Sequence, residues 1–325
     1  MPQRFNPLET KYPIWNAGMG GGLAGPELVA NMCEMGCFGV LGTGGLPHQI
    51  VGKLIRDTKQ LTFKPFGANI ILPMSDGRDI GSCFDEGIEV LVLFWGDPQP
   101  FIKDAHKRGI FLVVQCGNVE EATYAASSGA DAIIIQGVEA GGHVKGESEL
   151  IPFLNEARRE LGGSPLVAAG GIVSGKQING LMGQVQAVSL GTRFVASSEA
   201  RASLSYKKKL VASSAGDTVL TNLYDEGWKN AKHRVIKTPH YEKWIRDGSP
   251  VDGLRPGEGE TVGKIRLDSE ITFDVPRYSV FPPISNFEGD EKELPYYAGS
   301  SVSGVKKIES VRTIVETLAG EMKSA

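Results

Sequence analysis

The stretch Gln136-Gly137-Val138-Glu139-Ala140-Gly141-Gly142-His143 puts one imidazole at the tip of a glycine-rich turn. The residues just before it, Ala130-Asp131-Ala132-Ile133-Ile134-Ile135, read as a fully buried strand. Paired glycines cost backbone entropy, so their use at a strand end signals close approach of backbone to a ligand. Parallel α/β folds carry their chemistry at that end of the strand. An imidazole titrates near neutrality, which makes His143 the candidate general base. His48, His106, His233 and His240 stand at no ligand spacing from it, so a metal site has no support. No Ser or Cys occupies a Gly-x-Ser-x-Gly elbow, which leaves nucleophilic hydrolysis unsupported.

Two further turns resemble the first: Ala169-Gly170-Gly171-Ile172 and Gly191-Thr192-Arg193-Phe194. Each follows an apolar run, the seventh and eighth along the chain. Either one alone is explained by a tight strand-to-helix connection. Two in tandem favour a phosphate site, because backbone N–H groups near a short helix bind an oxyanion without a metal. Thr192 adds a hydroxyl. With no Gly-x-x-x-x-Gly-Lys-Ser/Thr turn, a monophosphate on a flat cofactor or a sugar fits better than a nucleoside triphosphate. Asn69 and Gln115 end two other apolar runs. Their amides suit the carbonyl and N–H groups of a heterocycle, or simply cap a strand end. Ala17-Gly18-Met19 offers backbone groups and an adaptable thioether beside a ring.

These residues need a frame. Eight apolar runs read as strands: 12–17, 38–41, 66–70, 90–94, 111–115, 132–136, 166–169 and 187–190. Helical periods lie between them at 26–35, 47–58, 98–108, 119–128, 151–161 and 176–182. Gly36, Gly109, Gly129, Gly162 and Gly183 close five of these segments. Eight uniformly apolar strands alternating with helices predict an α/β fold, a (β/α)8 TIM barrel. A doubly wound sheet is the alternative, but Gly18-Met19-Gly20-Gly21-Gly22 lacks dinucleotide spacing. The pattern changes near residue 200. Residues 200–225 read as helical and basic, and 226–300 are polar and rich in Gly and Pro. The stretch 252–263 reads as a loop, and 305–322 as a helix with Ile308, Val311, Ile314, Val315 and Leu318 on one face. The expected organisation is a barrel over 1–199, a smaller inserted lid or substrate region over 200–303, and a helix over 304–325 returning to the barrel.

The 325 residues, 41% apolar, are enough for one large domain with an insertion. A net charge of -4 gives no general attraction to nucleic acid or an anionic membrane. Lys207-Lys208-Lys209 reads as the solvated face of a helix. Cys33, Cys37, Cys83 and Cys116 read as buried free thiols. No apolar run reaches the roughly 18 residues of a membrane span. The polar N-terminus does not read as a signal peptide, so a cytoplasmic location is the default expectation.

Taken together, several segments resemble the nitronate monooxygenase family, formerly called 2-nitropropane dioxygenases. They are Pro13-Ile14 with Ala17-Gly18-Met19, Pro65-Phe66-Gly67-Ala68-Asn69, the turn Gln136 to His143, Ala168 to Ile172, and Leu190 to Phe194. Gly227 to Val235 and Tyr297-Ala298-Gly299 add to the likeness. The resemblance covers most of the chain. It implies non-covalent FMN, held by Ala17, Gly18, Met19, Asn69, Gln115, Gln136, Gly141, Gly142, Gly170, Gly171, Gly191 and Thr192. The phosphate would lie on the Gly170-Gly171 and Gly191-Thr192 loops, with His143 as the active-site histidine. The implied reaction takes an alkyl nitronate and O2 to a carbonyl compound and nitrite, with propionate 3-nitronate and neutral nitroalkanes within its range. The implied partners are these small molecules, neither nucleic acid nor membrane, and a homodimer is the one assembly to expect. NAD(P)H-dependent quinone and enoyl-ACP reductases share the barrel, the Gly-Gly-His turn and the phosphate loops. Gly18 after Ala17 resembles many of those reductases, so a flavin reductase stands as the alternative. A flavin-binding protein without turnover is the reading of a different class.

Overall fold

The computed structural model describes residues 4–324. Eight parallel strands form one sheet: β1 (Ile14–Asn16), β2 (Val40–Gly42), β3 (Gly67–Ile71), β4 (Val90–Phe94), β5 (Phe111–Cys116), β6 (Ala132–Gln136), β8 (Leu166–Ala169) and β9 (Ala187–Leu190). A short strand, β7 (Gly142–His143), lies in the turn between β6 and β8. The spatial order is β1-β9-β8-β6-β5-β4-β3-β2. The two ends meet where Phe38 N–H donates to Ile14 O at 3.0 Å and Asn16 N–H donates to Phe38 O at 3.3 Å. The sheet thus closes into the expected (β/α)8 barrel.

Alternation along the strands decides which side chains fill the barrel and which meet the helices. Trp15, Val90, Val92, Phe111, Val113, Ala132, Ile134 and Val167 pack together inside. Their neighbours Leu91, Leu93, Leu112, Val114, Ile133 and Ile135 join the larger core under the helices. Continuing the inward parity to the strands' C-terminal ends reaches Asn69, Phe94, Gln115 and Gln136. The strand period therefore aims these amides into the barrel mouth.

The outer layer is α1 (Pro26–Glu34), α2 (His48–Leu61), α3 (Arg78–Asp85), α4 (Gln99–Lys107), α5 (Val119–Ser128), α6 (Leu150–Glu160) and α7 (Gly175–Leu181). The local chemistry of α5 is typical of the group. Asn118 accepts a hydrogen bond from Glu121 N–H at its start, and Gly129 ends it at φ +105°, a conformation costly for residues with a Cβ. Helix α3 was not expected, since its polar start and Gly81 mask its period.

After β9 come α8 (Thr192–Val195), α9 (Leu204–Val211), β10 (Thr218–Thr221), β11 (His233–Ile236) and α10 (Pro239–Arg246). Then β12 (Thr261–Arg266), β13 (Thr272–Pro276) and β14 (Phe287–Gly289) form a small antiparallel sheet. Strand β11 pairs with β10 on one side and β7 on the other, so the inserted region is hydrogen-bonded directly to the Gly-Gly-His turn. The last helix, α11 (Val311–Lys323), packs on α7 and α1. Four expectations need correction. Residues 200–225 are not one helix, because α9 ends at Val211 and β10 follows. Lys207 is buried, its Nζ donating to Ser198 O at 3.1 Å, so it is not part of a solvated face. The 252–263 loop ends early, with β12 starting at Thr261. Ile308 lies outside the final helix and is 37% exposed, because Ser310 caps the first turn.

Candidate active site

A cavity opens at the C-terminal end of the barrel strands, about 930 Å³ of empty space when its solvent-filled mouth is included. Eleven of the residues singled out in the sequence line it: Ala17, Gly18, Met19, Asn69, Gln115, Gln136, Gly141, Gly142, His143, Gly191 and Thr192. Gly170 and Gly171 are not among its lining residues. A Cβ on Gly171 would lie 3.2 Å from Glu139 Cβ and 3.4 Å from Ser300 Oγ, so this turn sits beside the cavity, under residues 139–140 and 299–300.

Glycine is required sterically at several lining positions. A Cβ on Gly18 would fall 2.2 Å from Asn69 Cβ, and one on Gly141 would fall 2.4 Å from Gly299 N. Asn69 is buried and donates to Val92 O at 3.2 Å, which fixes its amide against β4. Gln136 donates from Nε2 to His143 O at 3.1 Å, while its Oε1 is buried without a partner. Thr192 Oγ1 accepts from Gly299 N–H at 3.0 Å, leaving the hydroxyl hydrogen available to an incoming acceptor.

His143 is held by the β7–β11 ladder, directly opposite His233. Its ring stacks on Trp228, with centroids 4.2 Å apart and planes at 26°. Tyr297 lies 5.6 Å away and His233 5.2 Å away, centroid to centroid. The residue is partly exposed overall, but its Nε2 is buried and has no hydrogen-bond partner. Burial, and then the neighbouring His233, push its pKa well below the ordinary 6.5. The imidazole is therefore neutral at pH 7.

His233 looks similar in sequence but is fully satisfied. Tyr224 N–H donates to its Nε2 at 3.3 Å, and its Nδ1 meets Ala231 O at 2.9 Å. Burial lowers its pKa to about 4. It is a framework residue, whereas His143 lines the cavity with its Nε2 unpartnered.

The outer wall was not assigned to the site from the sequence. It comprises Ile71, Met74, Phe94, Trp228, Val280, Phe281 and Tyr297. Trp228 and Tyr297 stood in segments noted for family likeness, yet nothing in their spacing placed them over His143. An ion-pair network holds Trp228 in place. Arg255, buried, reaches Asp225 at 2.6 Å and Asp252 at 2.8 Å, and also pairs with Glu258. Trp228 N–H donates to Asp225 O at 2.9 Å, and Lys229 pairs with Glu226 at 2.8 Å.

The four cysteines are buried free thiols, as expected, and lie outside this cavity. Burial pushes the Cys33 and Cys37 thiols up to about 12, so neither offers a thiolate.

The barrel thus opens one large cavity at the C-terminal ends of its strands. The nitronate monooxygenase family model matches residues 3–93 and 78–321, and the chain belongs to that family. It is accordingly an oxidoreductase. It is 32% identical over 232 residues to the (3aS,4S,5R,7aS)-5-hydroxy-7a-methyl-1-oxo-octahydro-1H-indene-4-carboxyl-CoA dehydrogenase of Rhodococcus jostii, covering 70% of this chain and 63% of that protein's length. It is 29% identical over 262 residues to a nitronate monooxygenase of Paraburkholderia phytofirmans, covering 64% of this chain and 70% of that one. Among solved structures, FabK from Thermotoga maritima superposes with a TM-score of 0.80 at 29% identity, covering 98% of this chain and 94% of that chain. Nitroalkane oxidase from Streptomyces ansochromogenes shares the fold with a TM-score of 0.77, at 23% identity and 97% and 96% coverage. Among the described residues no helix is long and apolar enough to cross a membrane.

Proposed function

We propose that the protein is an FMN-dependent nitronate monooxygenase, converting alkyl nitronates and O2 to carbonyl compounds and nitrite. The observation that carries this reading is the neutral His143 imidazole, unpartnered at Nε2, among the residues that line a cavity rimmed by glycine turns. The residues fit FMN. Gln136 Oε1 is an orphaned buried acceptor that a ring N–H would satisfy, and Gly142 and Gly191 leave open the space that Cβ atoms would fill. Asn69, Gln115, Gln136 and the Ala17-Gly18-Met19 turn would hold the ring and its side chain. Gly191 and Thr192 would hold the phosphate from the cavity side, and Gly170-Gly171 from beside it. The Thr192 hydroxyl supports this placement. When bound, the flavin supplies electron transfer between substrate and O2.

The chain's own residues do the rest. Apolar side chains exclude water around the reacting carbon. With a neutral nitroalkane, the His143 imidazole takes the α-proton. Its depressed pKa keeps it unprotonated through the neutral range. The Trp228 face, stacked at 4.2 Å, stabilises the imidazolium that forms. With a nitronate no proton need be removed, so His143 only orients. The test is His143→Asn. FMN binding and nitronate turnover should persist while turnover of the neutral nitroalkane falls on the order of a hundredfold or more. Equal loss on both substrates, or no loss on the nitroalkane, would remove His143 from the base role.

A second reading is an NAD(P)H-dependent flavin reductase on the same barrel. The 32% identity to a dehydrogenase favours it.

A further inference from the structure

We propose that this cavity selects substrates whose body beyond the reacting group is uncharged and apolar, an alkyl chain or a ring, and discriminates against carboxylated or phosphorylated ones. The inference rests on the substrate-binding reading of the cavity given above.

Among the described residues, no Asp, Glu, Lys or Arg lines the cavity. Its one titratable imidazole is neutral at pH 7. Both tyrosine hydroxyls are engaged with backbone, Tyr206 on Tyr297 O and Tyr297 on Val280 O at 2.7 Å. The tyrosines also remain phenols, since burial pushes Tyr297 well above its ordinary 10. The polar groups that remain cluster with the glycine turns, where the cofactor's polar groups are proposed to lie. The rest of the lining includes a hydrocarbon wall of Ile71, Met74, Phe94, Trp228, Val280 and Phe281.

The chain carries basic residues beside several cavity residues, in sequence or across a ladder, and each is engaged elsewhere. Arg193, next to Thr192, pairs with Glu309 at 2.8 Å through Nη2, while its Nη1 is buried without a partner and the residue does not line the cavity. Lys145, two residues after His143, pairs with Glu121. Lys229, next to Trp228, pairs with Glu226 at 2.8 Å and Asp252 at 2.6 Å. Arg234, paired with Gly142 across the β7–β11 ladder, donates from Nε and Nη2 to Val138 O at 3.1 and 2.9 Å. A second anionic group on a substrate would therefore lose its water with no counter-charge to meet it. A carboxylate on a nitronate's tail would face hydrocarbon. An alkyl tail gains area against the same wall.

The test compares two probes with the same head and different tails: 1-nitrohexane nitronate and propionate 3-nitronate. Binding to the FMN-loaded protein is read by quenching of tryptophan fluorescence, with Trp228→Phe as the control for signal origin. Nitrite release is measured separately. The hexyl probe should bind on the order of a hundredfold tighter, the scale of leaving one charge unpaired. Met74 is only half-buried, so Met74→Lys places an ammonium at the wall with its head able to reach water. This variant should narrow the gap about tenfold or more by tightening the carboxylated probe. Phe281→Lys tests the same point from the other side of the wall. Equal or tighter binding of propionate 3-nitronate by the natural chain would overturn the proposal. So would lysine variants that fold, by circular dichroism, yet leave the ratio unchanged. Nitrite from neither probe, with the binding preference intact, would uphold the apolar selection and refute the monooxygenase reaction.

Discussion

His233 provides the sharpest link between the framework and pH. Its ring is fully buried opposite His143 in the β7–β11 ladder. Burial lowers its pKa from 6.5 to about 4. Between those values the unfolded chain binds a proton at this site and the folded chain does not. Stability therefore falls as pH falls through this window, and the contribution is constant above pH 6.5. At about 1.4 kcal/mol per pH unit, the full window is worth about 3 kcal/mol. His233→Gln is the matched perturbation, because a glutamine oxygen can accept from Tyr224 N–H without titrating. Urea midpoints for both proteins should be measured from pH 7.5 to 4. The natural chain should lose about 3 kcal/mol more than His233→Gln across that range, the carboxylates common to both cancelling. Parallel pH profiles would refute the assignment of a buried neutral His233. They would also undercut the neutral state of His143, which rests on the same burial.

Two further perturbations test other parts of the account. Arg255→Ala removes the guanidinium that meets Asp225 at 2.6 Å and leaves a buried carboxylate short of a partner. It should cost about 3–5 kcal/mol by denaturant unfolding, and a loss under about 1 kcal/mol would show that the network does not anchor the Trp228 turn. Thr192→Val keeps the shape but removes the hydroxyl proposed to meet the FMN phosphate. The FMN dissociation constant should rise roughly fivefold, about 1 kcal/mol, and an unaltered constant would exclude Thr192 as a ligand.

The barrel was legible because its strands are short apolar runs that no amphipathic helix mimics. Ala132-Ile133-Ile134-Ile135 and Val90-Leu91-Val92-Leu93 have both faces buried, so the sequence has no reason to alternate. The inner half of the cavity was legible for a related reason. Asn69, Gln115 and Gln136 are polar residues that break apolar runs at inward parity, and a glycine follows Gln115 and Gln136 within two residues. The outer half was not legible. Trp228 and Tyr297 reach His143, and Val280 and Phe281 reach the cavity, through contacts between residues far apart in the chain. An aromatic residue in a Gly- and Pro-rich segment carries no local mark of what it covers. Lys207 went wrong for the opposite reason: a run of three lysines suggests solvent, yet the turn of α9 carries the first one under Ser198.

The most direct test of the central claim is anaerobic mixing of FMN-loaded protein with 1-nitrohexane nitronate, and separately with NADH and NADPH, followed by admission of O2. The account predicts that the nitronate changes the flavin absorbance rapidly, that O2 then yields nitrite and the aldehyde, and that neither nucleotide bleaches the flavin at a comparable rate. Rapid bleaching by a nucleotide, with no response to the nitronate, would contradict it and make the protein a reductase.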